Sequence, residues 1–425
     1  MLNILITVLI IEFVFSLVLF DRDVLAPAVM LSLVFLVAAL DLSLMVEFWA
    51  VNLTIEAVKV ITIGNAGFII TTALIHGLSK KKTVIKQETD VIILDDNTIL
   101  LIDIIYIITI ILYLFFVVKA AMRYGAAGNI LAMVGFVKSL SANVNIGIPS
   151  ILMTIYNLCI NLTYIWIYIF VRNLGKVKLN FQWIILILLS LSMGILVGGS
   201  RGEFVALIIS AITIYMIMYR KENTQKIPFK YYLKIGVICI LILLIFQGIA
   251  TIMGRDSHLY DFVEYLSIYI GAPIMNFSNA IKRGMPYSSI KGGESFHKLI
   301  TFLGPILGIG EYKTSRAFWV ANGHNVGNVA TMYYDYYCDW GLAGAIIIPI
   351  IMAFMLQTVY EKVKRENKNG ISVLVITYAW MFFLLMRSFF SNTFIDNVFS
   401  VSFLKQLVVW YVVSRYVTRI RIKIH

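Results

Sequence analysis

Long apolar stretches separated by short polar ones run through almost the whole chain. About eleven of them are long enough to cross a bilayer as helices: 2–20, 24–40, 57–76, 98–118, 147–171, 181–198, 202–219, 232–253, 341–360, 371–388 and 397–416. A spanning β-barrel would instead show alternating segments of ~10 residues, and none stands out. The pattern predicts an all-α polytopic integral membrane protein. The longest run without a span, 254–340, reads as one large loop on one side of the membrane. Three sections follow: a transmembrane bundle of the first eight spans (1–253), the large extracytoplasmic loop with interfacial helices (254–340), and the last three spans with a basic tail (341–425). Leu2–Phe20 has no basic n-region and no small-residue cleavage site, which predicts a retained helix and not a signal peptide.

Composition fits lipid as the solvent. The chain is 60% hydrophobic and 14% charged, whereas a soluble domain is roughly 25% charged. Its net charge of +12 raises the question of nucleic acid, but the placement of the charges answers it. With eleven spans, Lys80, Lys81, Lys82 and Lys86 lie on the same side as Arg172, Lys176 and Lys178. So do Arg220, Lys221, Lys226 and Lys230, then Lys362, Lys364, Arg365 and Lys368, then Arg415, Arg419, Arg421 and Lys423. That side is cytoplasmic by the positive-inside rule. The C-terminus is then inside and the N-terminus outside, and no nucleic-acid partner is needed. Cys159, Cys239 and Cys338 are scattered without metal-ligand spacing, so they read as packing residues and no metal site is expected.

Four arginines break the rule. Arg123, Arg201, Arg255 and Arg387 lie at or near outer span ends, where basic residues are disfavoured. Arg201 belongs to "GGSRGEF" (198–204), a tight turn between two apolar stretches. A guanidinium fork suits phosphate oxygens, flanking glycines admit backbone N–H groups, and Gly202 opens a helix whose N-terminus favours anions. The turn therefore reads as a phosphate or pyrophosphate seat. The plainer reading is that Arg201 reaches the lipid headgroups and Glu203 caps the helix.

The large loop begins with Tyr260, Tyr265 and Tyr269 at helical spacing, ended by Gly271-Ala272-Pro273. Such an aromatic face, with Asn276 nearby, suits sugar rings and equally suits an aromatic belt at the headgroups. "HKLITFLGPILGIG" (297–310) is too short and too broken to span, which places it at the interface or in a re-entrant loop. The Gly/Ala/Ser-rich 119–146 is expected to carry a short surface helix. "NGHNVGNVATMYYDYYCDWGLAGA" (322–345) holds His324, Asn325, Asn328, Tyr333, Tyr334 and Asp335 directly before a span that Gly341 and Gly344 introduce. Glu12, Asp103 and Lys405 lie inside apolar spans, with Lys405 expected to face the bundle.

The early segment 23–49, the "GGSRGEF" turn, "EYLSIYIGAPIMNF" (264–277) and "NVGNVATMYYDYYCDWGLAGAIII" (325–348), in that order, make the chain resemble the Wzy-type oligosaccharide repeat-unit polymerases of O-antigen and capsule biosynthesis. The resemblance implies a glycosyltransferase of the cytoplasmic membrane, acting at its outer leaflet. A growing glycan on undecaprenyl pyrophosphate would pass to a newly flipped lipid-linked unit. Implied partners are the undecaprenyl-pyrophosphate-linked oligosaccharide, membrane lipid, a flippase and a chain-length regulator. No D-x-D-like pair occurs in the outer loops, so neither a nucleotide nor any other cofactor is expected. Arg201, Arg255 and Arg387 would stabilise the leaving pyrophosphate, while His324, Asp335 and Glu203 stand equal as general base. Arg123, Gly202, Tyr265, Tyr269, Asn276, Asn325, Asn328, Tyr333 and Tyr334 would contact substrate. Two other functions fit less well. An O-antigen ligase shares the chemistry with a different acceptor. A lipid-linked glycan transporter would show internal repeats and a charged midplane cavity, and would have little use for a one-sided loop of about 85 residues.

Overall fold

A computed structural model describes the chain except residues 80–90, 127, 141–146, 179, 197–200, 224–227, 229–233, 235, 239–240, 242–244, 246–247, 249–261, 309–311, 313–315, 317, 368 and 421–425, together with the side chains of 201 and 418–420. It is 76% helical, and the described strands are one two-residue pair, so the architecture is that of an all-α membrane protein. Seven described helices are long and apolar enough to cross a bilayer. They are α1 (Leu2–Leu19), α2 (Pro27–Leu44), α3 (Ile55–Ser79), α4 (Asp96–Arg123), α6 (Ser150–Asn173), α8 (Arg201–Asn223) and α12 (Met332–Arg365). Two more of the expected spans, α7 (Phe181–Leu196) and α13 (Val373–Met386), are shorter apolar helices. The expected span 232–253 falls largely outside the described residues.

Two compact units form, and they do not follow chain order. One contains Met1–Thr83, Asp261–Arg365 and Trp380–Lys405; the other contains Val84–Tyr260, Glu366–Ala379 and Gln406–His425.

In the first unit α1, α2, α3 and α12 pack together. The α1–α2 turn is tight: Asp21 and Arg22 adopt positive φ, and Asp23 accepts from Leu25 N at 3.0 Å. Pro27 then opens α2, where its missing N–H costs nothing. This turn meets the C-terminal ends of α3 and α12. Tyr360 donates to Asp23 at 2.6 Å, Phe20 lies 5.1 Å from the His76 ring, and His76 Nδ1 is 2.8 Å from Glu361. At the other end of the unit the α2–α3 connection meets α9 (Phe262–Ile270), α10 (Ala272–Lys282) and a hairpin of β1 (Val320–Ala321) and β2 (His324–Asn325). Ser267 donates to Asp41 at 3.1 Å, Thr54 N to Ser278 at 2.8 Å, and Asn322 to the Phe48 carbonyl at 3.0 Å.

Gly271 forms the elbow between α9 and α10. A Cβ there would lie 2.7 Å from both Leu42 N and Asp41 Oδ2, so the elbow seats directly on the last turn of α2. Gly271→Ala is expected to destabilise by about 1–3 kcal/mol through overpacking. The measurement is the unfolding temperature of the detergent-solubilised protein, and an unchanged value would show that the elbow yields freely.

Gly341, at φ 59°, breaks α12 into 332–340 and 342–365. An L side chain disfavours that conformation, so the break falls where the sequence marks the start of a span. The segment 297–310 supplies α11 (His297–Leu307), whose Phe302, Ile306 and Leu307 are exposed, and 119–146 supplies α5 (Ile130–Leu140). Both suit a membrane surface.

The second unit packs α4, α6, α7 and α8 with α5. Asp95 caps α4 by accepting from Thr98 N at 3.2 Å. Asn173 exchanges two hydrogen bonds with the Ile92 backbone, at 3.1 and 2.7 Å, which ties the α6 end to the approach to α4. Arg172 is buried and donates to Tyr168 at 3.2 Å and to the Gly370 carbonyl, so this member of the basic series also has an interior hydrogen-bonding role.

The intramembrane charges divide. Glu12 has a partner, accepting from Asn65 of α3 at 3.3 Å. Asp103 is buried in α4 with neither carboxylate oxygen hydrogen-bonded among the described residues. Lys405 corrects the expectation that it faces the bundle, because its side chain is exposed. Its helix, α15 (Val401–Ile420), follows the short α14 (Thr393–Val398) and buries Phe403, Gln406, Trp410, Ser414 and Val417 at helical spacing, and 405 lies on the opposite face.

Candidate functional site

One group of aromatic and polar residues of the first unit is built on α9, beside the α9–α10 elbow. Tyr265 and Tyr269 share a face of α9, with ring centroids 5.4 Å apart, as the four-residue spacing predicts. Tyr269 stacks on Phe390 at 6.1 Å and 19°. The Arg387 guanidinium lies 5.6 Å from the Phe390 ring and 5.7 Å from the Phe383 ring. Three aromatic residues and one arginine, drawn from two distant parts of the sequence, thus form one run.

The hairpin is built by Asn322 and Gly323, both at positive φ, the conformation of a type I′ turn. Trp319 N donates to Gly327 O at 2.7 Å and Val326 N to Trp319 O at 2.9 Å, which continues the pairing beyond the two-residue strands. Asn276 fixes the return of the chain by donating to the carbonyls of Val326 and Val329 at 3.1 and 2.9 Å. These bonds set His324 against α9. Its Nδ1 is 3.0 Å from Glu264 Oε1, and its ring centroid is 4.1 Å from that of Phe48. Glu264 is buried, while 34% of the His324 side chain is open.

A second cluster surrounds the start of α12. Arg316 donates to Asp335, lies 4.0 Å from Glu294, and covers the Tyr334 ring at 4.7 Å. Burial opposes the arginine's charge, but the Asp335 and Glu294 carboxylates outweigh it and hold the guanidinium more firmly protonated than usual. Tyr312 donates to Glu294 at 2.8 Å. Burial, reinforced by the Glu294 charge, pushes its hydroxyl up to about 12, so it stays a donor. Asp339 accepts from Ser295 N at 2.7 Å and Glu294 N at 3.3 Å, and Asn392 donates to Ser295 O at 2.8 Å. Arg316 and Glu294 carry no periodicity or motif, whereas Asp339 lies in the 322–345 segment one helical turn after Asp335.

The residues expected at a site are distributed as follows. His324, Asn325, Asn328, Tyr265, Tyr269, Asn276, Tyr333, Tyr334, Asp335 and Arg387 all belong to the first unit. Asn325 is exposed, accepting from Gly327 N at 3.0 Å, and Asn328 is half-buried. Asn276 and Tyr333 are fully buried and hydrogen-bonded inside, Tyr333 to Asn65 at 2.7 Å, so both serve packing in this arrangement. Asp335 is buried against Arg316. Arg123, Gly202 and Glu203 belong to the second unit, Arg123 exposed at the end of α4 and Glu203 half-buried in the first turn of α8. The Arg201 side chain, Arg255 and Tyr260 lie outside the described residues. No three His, Cys, Asp or Glu side chains group as a metal site among the described residues. Comparison with protein-family models, with curated proteins and with solved structures gives no match.

Proposed function

We propose that the chain is a Wzy-type polymerase of the cytoplasmic membrane. It transfers a growing glycan from undecaprenyl pyrophosphate to a lipid-linked repeat unit at the outer leaflet. The observation that carries this reading is the gathering of His324, buried Glu264 and the Tyr265–Tyr269–Phe390 run with Arg387 at one end of the first unit. That end is opposite to the basic end of α12 at Lys362, Lys364 and Arg365. Aromatic faces suit the C–H faces of sugars, an arginine suits pyrophosphate, and an imidazole beside a carboxylate suits proton removal from a hydroxyl. In this reading eleven spans place the C-terminus inside and 254–340 outside.

The defining experiment is the glycan profile of cells lacking the protein. Loss of long chains with single units retained supports the polymerase. Long chains left on the lipid carrier point to a ligase, and units trapped on the inner leaflet point to a transporter. Topology has its own test. A cysteine at exposed Ser289 is expected to react with an impermeant reagent on intact cells, and one at Lys364 is not. The reverse result overturns the orientation.

A further inference from the structure

We infer that Glu264 is a positioning residue for His324, and that on the glycan-transfer reading above this pair takes the proton from the acceptor hydroxyl. Three groups stood equal as general base in the sequence, and their surroundings separate them. Asp335 is buried and paired with Arg316. Glu203 is half-buried in the first turn of α8, where a carboxylate serves the helix N-terminus. His324 is partly open and has a buried carboxylate behind it.

The details favour a pair that acts as one device. Glu264 Oε1 is buried and has no hydrogen-bond partner among the described residues, yet it lies 3.0 Å from His324 Nδ1. The approach is within reach but off the hydrogen-bond axis. Catalytic hydrogen bonds are often misaligned without substrate and tighten when it binds. A small rotation of the ring satisfies the orphaned oxygen. It also fixes the proton on Nδ1 and leaves the Nε2 lone pair for the acceptor. Phe48 packs against the ring, and Asn322 holds the Phe48 carbonyl, so the hairpin and the α2–α3 connection restrict how the imidazole turns.

The step balances without a further reagent. The acceptor O–H gives its proton to Nε2 as the acceptor oxygen bonds to the anomeric carbon. The bond from that carbon to the pyrophosphate oxygen breaks, and its electron pair leaves with the lipid pyrophosphate. The Glu264 carboxylate stabilises the imidazolium, which then releases its proton to water.

The test is a double-mutant cycle on the purified full chain in lipid vesicles, supplied with lipid-linked units extracted from cells lacking the protein. Glu264→Gln keeps shape and removes charge. It is expected to lower kcat for chain elongation about 10²-fold, the order of a general-base contribution, with KM within about twofold. In a His324→Ala background the same change should cost nothing further, because Glu264 acts only through the imidazole. Added imidazole should raise the His324→Ala rate and leave the wild-type rate unchanged. Two factors that simply multiply, or a KM effect with kcat intact, overturn the inference and leave the polymerase reading standing. A wild-type chain that elongates nothing defeats that reading, and the chemistry assigned to the pair with it, before any variant is compared.

Discussion

On the proposed polymerase reading, Arg201→Lys is expected to lose most chain elongation, roughly 30- to 1000-fold, while membrane insertion and protein level stay near normal. Lysine keeps the charge and loses the planar fork that grips two phosphate oxygens. α8 begins at Arg201 itself, so the backbone there adds the anion-favouring end of a helix. The range corresponds to about 2–4 kcal/mol for one charged hydrogen bond made in the transition state. If Arg201 only reaches the headgroups, lysine serves as well, because both stems reach the interface. The measurement is chain-length distribution at matched protein level in cells without the native copy. Normal chains would end the pyrophosphate reading of this turn. Glu203→Gln is the companion: a helix-capping glutamate tolerates the amide, and a general base does not.

The second large effect is on stability. Asp335→Asn should destabilise the first unit by about 3–5 kcal/mol, because it leaves the largely buried Arg316 facing a neutral amide. Glu294, at 4.0 Å, is too distant to replace the lost contact fully. Arg316→Met combined with Asp335→Leu should recover most of the loss, since an apolar pair needs no compensating charge. The unfolding temperature of the detergent-solubilised protein reports both variants. A double variant as unstable as Asp335→Asn would mean that the cluster is needed for its shape and not for its charge balance.

Fold class was legible because lipid imposes a simple code. A helix in a bilayer must be apolar over about 20 residues, and seven stretches that read so in the sequence are helices of that length. Local signals also read correctly where the backbone alone decides. Gly271 ends one helix before another starts, Gly341 breaks α12, and Tyr265 and Tyr269 share a face. The Asn322-Gly323 turn carried an equally plain hairpin signal, although only the structure drew attention to it.

Partnership was not legible, because periodicity says which face of a helix is buried and not what lies against it. Glu264 and His324 are sixty residues apart and meet only because the elbow at Gly271 folds back and Asn276 pins the returning chain. Arg316 lies in a stretch with no regular pattern, and its carboxylates come from two other places in the chain. Lys405 read as an interior charge until the buried face of α15 placed it on the outside. The sequence by itself determined that this is a helical membrane protein, and where several of its helices break, since both depend on local transfer and backbone energies. Tertiary structure alone decided which polar side chains stand together, since a carboxylate chooses its partner by proximity in space, and proximity follows from packing over the whole unit.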